Sequence, residues 1–323
     1  MISLASLIAI YVIIDLERFI QALRMADYRF VALVFGFTVC WLLVRGVVWR
    51  TLLQEKATFA QTFWAVNQGY LLNNLLPFRL GEVGRSFLLS RKAGLGFFHV
   101  LSTVVIERSL DVVFAAGILL AALPSVIGAA WARQAAFAAG GLVLAFLFFL
   151  YLLAHFREAA VKAYTTLSRR WQFLGRFSSQ LSAFLNGLAV LDDPRQFIKA
   201  IFWMAVDWGV AILMFYSLML AFFPDAQLVW GLFTLGVMAI GIAVPSSPGA
   251  IGVQELAVVG ALAAFKLDAS VALAAAITAH LSNYLITGIL GAYALMRDGE
   301  TLANVYNSVR HISTEPPPSE SLE

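Results

Sequence analysis

The stretch Asn73-Asn74-Leu75-Leu76-Pro77-Phe78-Arg79-Leu80-Gly81-Glu82-Val83-Gly84-Arg85 decides how this chain is read. It sets amides, a proline, glycines and three ionisable groups into sequence that is otherwise apolar. A second break, Pro245-Ser246-Ser247-Pro248-Gly249-Ala250-Ile251-Gly252-Val253-Gln254-Glu255, interrupts the last third. Irregular backbone and ionisable side chains at membrane depth persist only where protein or a wet cavity surrounds them. The two breaks therefore point to a polar site inside a membrane bundle.

The composition around them agrees. Hydrophobic residues make up 61% of the 323 and charged residues 13%, where a soluble domain carries about 25% charge. Mean hydropathy is +0.84. The expected fold is all-α, a polytopic helical membrane bundle of about eight segments with broken or re-entrant helices. One integral domain should fill residues 1–300, leaving 301–323 as a cytoplasmic, disordered tail with Pro316-Pro317-Pro318. The net charge of +3 could suggest nucleic acid, but the basic residues stand at span ends and connections, so the charge reads as topology. Cys40 is the only cysteine, which excludes an internal disulfide framework and a thiolate metal site.

Apolar runs predict spans at residues 2–15, 29–50, 100–123, 131–153, 197–223, 228–244, 253–265 and 270–296. The first is short, lacks a basic region before it and reads as a tilted or truncated helix, not a removable leader. Residues 58–76 carry Asn67, Gln68, Asn73 and Asn74 before Pro77 and read as a re-entrant half-helix. The basic stretch 155–199 is placed in the cytoplasm by the positive-inside bias. Its Phe173, Phe177, Leu181, Phe184, Leu185 and Leu188 stand at helical spacing, fitting a helix on the membrane surface or one that caps the bundle. By parity the C-terminus is cytoplasmic and the second break begins on the inner side. The two breaks also form a weak internal repeat, the best sequence pointer to a transporter's binding site, with their relative orientation open.

Asn74, Arg79, Glu82 and Arg85 cluster around Pro77, and Glu82 lies three residues from each arginine. This suits an anion site in which guanidinium groups hold a phosphate, or else a solvated interfacial loop. Glu107 and Asp111 stack on one helical face beside Arg108, as a structural ion pair or as proton or substrate couplers. Gly249 and Gly252 break the chain before Gln254 and Glu255; the new helix start either presents N–H groups to an anion or is simply stabilised by Glu255. His280, Asn283, Tyr284 and Thr287 form one stripe, with no second ligand for a metal. Asp207, alone within the 197–223 run, reads as a candidate buried carboxylate and, with Glu107 and Asp111, as a candidate proton carrier. Arg45 and Arg50 read as snorkelling to the interface.

The first run, with Val105-Ile106-Glu107-Arg108-Ser109-Leu110-Asp111 and the 245–255 segment, resembles the transmembrane region of the lysylphosphatidylglycerol synthase/flippase family. The resemblance follows the order P-x-R-x-G-E-x-x-R, V-x-E-R-x-x-D and P-x-x-x-G-x-x-G-x-x-E over most of the chain. The late segment departs from many relatives in carrying Ser-Ser-Pro-Gly where they have more glycine. It implies a domain that moves a lipid or lipid-linked head group between leaflets. The soluble aminoacylating domain of two-part members is absent here, so their synthase activity is not expected.

The resulting expectation is a non-enzymatic lipid translocase of the bacterial inner membrane. Arg79, Arg85 and Arg108 would hold an anionic head group, positioned by Glu82, Glu107 and Asp111, with Glu255 and the backbone at Gly249 and Gly252 as the opposing wall. Asn74, His280 and Asn283 complete the candidate site. No metal, cofactor or nucleic acid is expected, and the candidate partners are the lipid itself, a second copy, or lipid-biosynthesis enzymes. The rival is a membrane-embedded transferase using a polyprenyl- or lipid-linked substrate, with a carboxylate as general base. An inert scaffold is the third reading, and it leaves the intramembrane polar groups unexplained.

Overall fold

The computed structural model describes residues 2–76, 80–126, 192–243 and 247–305, with scattered helical positions between 134 and 185. Arg79 and Pro77, Pro245 and Ser246, most of the predicted 131–153 span, most of the amphipathic stretch before 192 and the tail after 305 lie outside the described residues.

The fold is an all-α membrane bundle. Among the described residues the continuous helices are, in chain order, α1 (Ile2–Ile13), α2 (Leu16–Met25), α3 (Tyr28–Leu52), α4 (Phe59–Leu75), α5 (Leu80–Ala93), α6 (Phe97–Val126), α7 (Pro194–Phe222), α8 (Leu228–Ala243), α9 (Val253–Ala263) and α10 (Ala269–Arg297). Four of them, α3, α6, α7 and α10, are long and apolar enough to cross a membrane. Local chemistry starts them: Asp27, Asp193 and Asp268 accept backbone N–H bonds at the N-termini of α3, α7 and α10. Pro194 opens α7, where its missing N–H costs nothing.

The shorter helices pair into two hairpins. At 1.5 Å per residue, α4 and α5 extend about 25 Å and about 21 Å, short of a full crossing. They run antiparallel. Gln61 at the start of α4 donates to the Lys92 carbonyl at the end of α5 at 3.1 Å. Thr58 and Gln61 close a capping box at the same end. Close approach along the hairpin requires glycine: a Cβ on Gly81 would stand 2.1 Å from the Gly69 carbonyl oxygen, and one on Gly84 would stand 2.7 Å from Leu72. Residues 58–76 thus form one leg of a short antiparallel helical hairpin.

The second hairpin, α8 and α9, has legs of about 24 Å and about 17 Å. It enters from the opposite face. At one face Lys92 pairs with Asp298 after α10 at 2.7 Å, and Lys199 near the start of α7 pairs with Glu55 after α3. At the other face the Asp27 N–H donates to the Ala221 carbonyl at 2.9 Å, joining the start of α3 to the end of α7. The Asp15 N–H there donates to Ser270 at 2.9 Å, at the start of α10. The first hairpin opens on the Lys92 face; the second starts where α7 ends and delivers the chain to the start of α10. The two interrupted segments are thus inverted with respect to each other.

This corrects the expectation that the second break begins on the inner side. Instead a one-turn 3₁₀ segment, Pro248–Ala250, precedes α9 at the tip of the second hairpin. It packs against α4 of the first hairpin. The first apolar run is also not a simple span: α1 ends before Asp15, which caps a separate helix, α2, that has no buried residue. Near the other end Val305 is buried against Leu72, Leu88 and Leu295, so the packed body continues past the expected boundary at residue 300.

Candidate functional site

A cavity of about 490 Å³ lies where the hairpin tips meet. Asn73, Asn74 and Glu82 reach it from the first hairpin, and Ser247, Gly249 and Gln254 from the second. Arg108 and Asp111 of α6, Asp207 and Trp208 of α7, and His280, Asn283 and Tyr284 of α10 complete its polar side. Met214, Phe215, Leu235, Met238 and Ile242 of α7 and α8 supply an apolar wall. The result is an amphipathic slot of the size that holds a small-molecule group.

An ion-pair network forms one end of it. Arg45 Nη1 lies 2.9 Å from Asp111 Oδ1 and 3.6 Å from Glu107 Oε1, and Arg45 Nη2 lies 2.9 Å from Asp207 Oδ2. Arg108 bridges Glu82 at 3.1 Å, Glu107 at 2.6 Å and Asp111 at 3.0 Å. Arg85 reaches Glu107 at 3.0 Å and Glu82 at 3.7 Å. Indole N–H groups add neutral bonds, Trp41 to Asp207 at 3.1 Å and Trp208 to Asp111 at 3.2 Å. Desolvated charges are tolerable because each is paired, hydrogen-bonded, or stacked as the Arg85 guanidinium is on Trp49, 4.5 Å from the ring centroid.

Arg45 does not snorkel. Its side chain is 5% exposed and it stands at the centre of the network. A signal existed in the sequence: Trp41, Arg45 and Trp49 recur every four residues, which sets an arginine between two indoles on one face of α3. Trp41 and Tyr70 were likewise not foreseen, and both line the cavity.

The second break is held by other means. Glu255 accepts the Gly252 N–H at 2.7 Å and pairs with His280 Nδ1. Gly249 has φ +63° and Gly252 φ +84°, both in the left-handed region that glycine enters without strain. The Gly252 turn packs on α1, whose Ser3 accepts the Ser247 N–H at 3.2 Å. In the first hairpin Asn73 accepts the Gly81 N–H at 2.9 Å, bridging the break, and Asn74 donates to Thr287 at 3.0 Å.

Of the residues expected in the site, Asn74, Glu82, Arg108, Asp111, Asp207, Gly249, His280 and Asn283 line the cavity. Arg85 and Glu107 sit behind it, as the buried backing of Arg108. Glu255 and Gly252 brace the second tip and do not line the slot. No group of three metal-ligating side chains occurs among the described residues.

Residues 1–291 match the model of a family described as the lysylphosphatidylglycerol synthase transmembrane region. Two UPF0104 membrane proteins of Methanocaldococcus jannaschii are similar to this chain. One is 24% identical, with 91% of this chain and 92% of the relative covered. The other is 26% identical over 68% of this chain and 91% of the relative. No solved structure matches.

Proposed function

The chain belongs to the lysylphosphatidylglycerol synthase transmembrane-region family, and from that premise we propose that it translocates a membrane phospholipid between leaflets. The observation that carries this reading is the amphipathic slot between two oppositely inserted hairpin tips. A phospholipid has the same division into polar head and apolar chain. The phosphate engages Arg108, which is 30% exposed, unlike the buried Arg45 and Arg85. Asn73, Asn74 and Asn283 offer amide donors beside it. The apolar wall of α7 and α8 accommodates the first part of the acyl chains. Arg79, which stands between α4 and α5 in the sequence, is a further candidate for the phosphate.

The protein resides in the plasma membrane, with the Lys92 and Lys199 face cytoplasmic by the positive-inside bias. Translocation leaves the lipid chemically unchanged, so the protein is not an enzyme in this reading. Purified full-length chain in liposomes with fluorescent phosphatidylglycerol tests it. Labelled lipid should become accessible in the opposite leaflet, and Arg108→Gln should lose most of that movement while remaining monodisperse in detergent. A new lipid product would favour the transferase reading, and an immobile probe would remove the translocase one.

A further inference from the structure

Among the described residues, four carboxylates (Glu82, Glu107, Asp111 and Asp207) share three guanidinium groups (Arg45, Arg85 and Arg108). The sharing is uneven. Glu107 contacts all three arginines, and Asp111 holds Arg45 on one oxygen and Arg108 on the other. Glu82 meets Arg108 and Arg85. Asp207 meets only Arg45, which Asp111 and Glu107 also engage. We propose that Asp207 is a proton-binding site of the cavity, and that proton uptake there accompanies entry of a phosphate-bearing head group.

The geometry at the carboxyl supports the first half. Both donors, Arg45 Nη2 at 2.9 Å and Trp41 Nε1 at 3.1 Å, converge on Oδ2. Oδ1 is buried and has no hydrogen-bond partner among the described residues. Oδ1 is therefore the oxygen open to a proton when the charge balance demands one. The side chain is 1% exposed, and an ionised carboxylate that owns only part of one guanidinium is costly at that depth. The other charged groups acting on it are Asp111 and Glu107 of α6, which share Arg45 with it. Across the cavity, Glu255 of α9 and His280 of α10 are occupied with each other.

The second half rests on the translocase reading. A phosphate at Arg108 competes with Glu82, Glu107 and Asp111 for that guanidinium. Glu107 and Asp111 then draw more on Arg45, and Asp207 needs a proton to stay buried. One proton moves from solvent to Asp207 Oδ1 as the anion enters, and no covalent bond to the lipid changes.

Infrared difference spectra of the purified full-length protein in lipid, taken between about pH 5 and about pH 9, read the proton directly. The expected result is a protonated-carboxyl band that shifts when aspartate is isotope-labelled, is lost in Asp207→Asn and persists in Asp111→Asn. Should Asp207→Asn not fold, Asp207→Glu should leave a band that no longer responds to the aspartate label. An absent band, or one unchanged in both Asp207 variants, overturns the site. In liposomes containing fluorescent phosphatidylglycerol, an imposed pH gradient should change the crossing rate several-fold in the wild type and not in Asp207→Asn. Lipid movement indifferent to the gradient overturns the coupling. A titrating Asp207 band without any lipid movement upholds the proton site and removes the translocase reading instead.

Discussion

Gly249 lies directly beneath the Tyr284 hydroxyl: a Cβ at position 249 would stand 1.3 Å from that oxygen. The tip of the second hairpin is thereby seated on α10. One helical stripe of α10 serves both hairpins. His280 and Tyr284 meet the second, while Thr287 bonds Asn74 of the first and Gly291 lets α4 approach, a Cβ there falling 2.6 Å from the Asn67 carbonyl oxygen. A methyl at position 249 would have to displace the end of the Tyr284 side chain.

Gly249→Ala should therefore lower thermal stability and impair lipid crossing, through the left-handed φ and through collision with Tyr284. Adding Tyr284→Ala should relieve the collision but not the backbone strain. A double-mutant cycle read by thermal unfolding in detergent should show a coupling of about 0.5–3 kcal/mol, and strict additivity would refute the seating.

The Asn74–Thr287 bond joins neutral groups. Asn74→Ala or Thr287→Val should cost about 0.5–1.5 kcal/mol. Lipid crossing should fall further than that loss of stability would predict, because the first hairpin tip is no longer fixed to α10. Crossing assays beside melting curves of the same preparations check this.

Arg45→Met leaves Asp111 and Asp207 buried without their shared cation, a change expected to cost about 3–5 kcal/mol. Arg45→Lys keeps the charge but cannot span Asp111 and Asp207 with separate nitrogens, so it should fall between the two. Thermal unfolding of the three proteins orders them. Equal stability of Arg45→Met and the wild type would mean the network contributes nothing to the fold.

Just past the end of α10, partial burial raises the Asp298 carboxyl. Hydrogen bonds from Lys92 and Gln68, together with the charges of Lys92 and Arg297, outweigh it and hold the group below the ordinary carboxylate range. Its folded-state value is depressed, so the stabilisation is present above the unfolded value, about 3.9, and disappears as pH falls through the folded value. Asp298→Asn should be less stable than the wild type by a constant margin near neutrality. That margin should shrink only in acid, as followed by melting temperature against pH. A margin that shrank near pH 7 would exclude Asp298 as its source.

Much of the fold was legible because its signals are local. The polar content of residues 58–76 and the proline after it marked the first leg of the α4–α5 hairpin as unlike a lipid-facing span. The break at Gly249 and Gly252 was legible for the same reason, since positive φ is a property of single residues. The site was legible in part. Glu82, Arg108, Asp111 and Asp207 do meet, yet Arg45 was misassigned because distance from a helix end says nothing of which way that face of the helix turns.

Hydropathy and backbone-breaking residues alone established a helical membrane bundle with two interrupted segments, because both act within a few positions along the chain. Only the tertiary structure decided that the segments enter from opposite faces, and that Arg45 stands between Asp111 and Asp207. Those outcomes depend on how distant helices rotate and slide until buried charges find partners, a condition imposed by the low-dielectric interior on the assembled bundle.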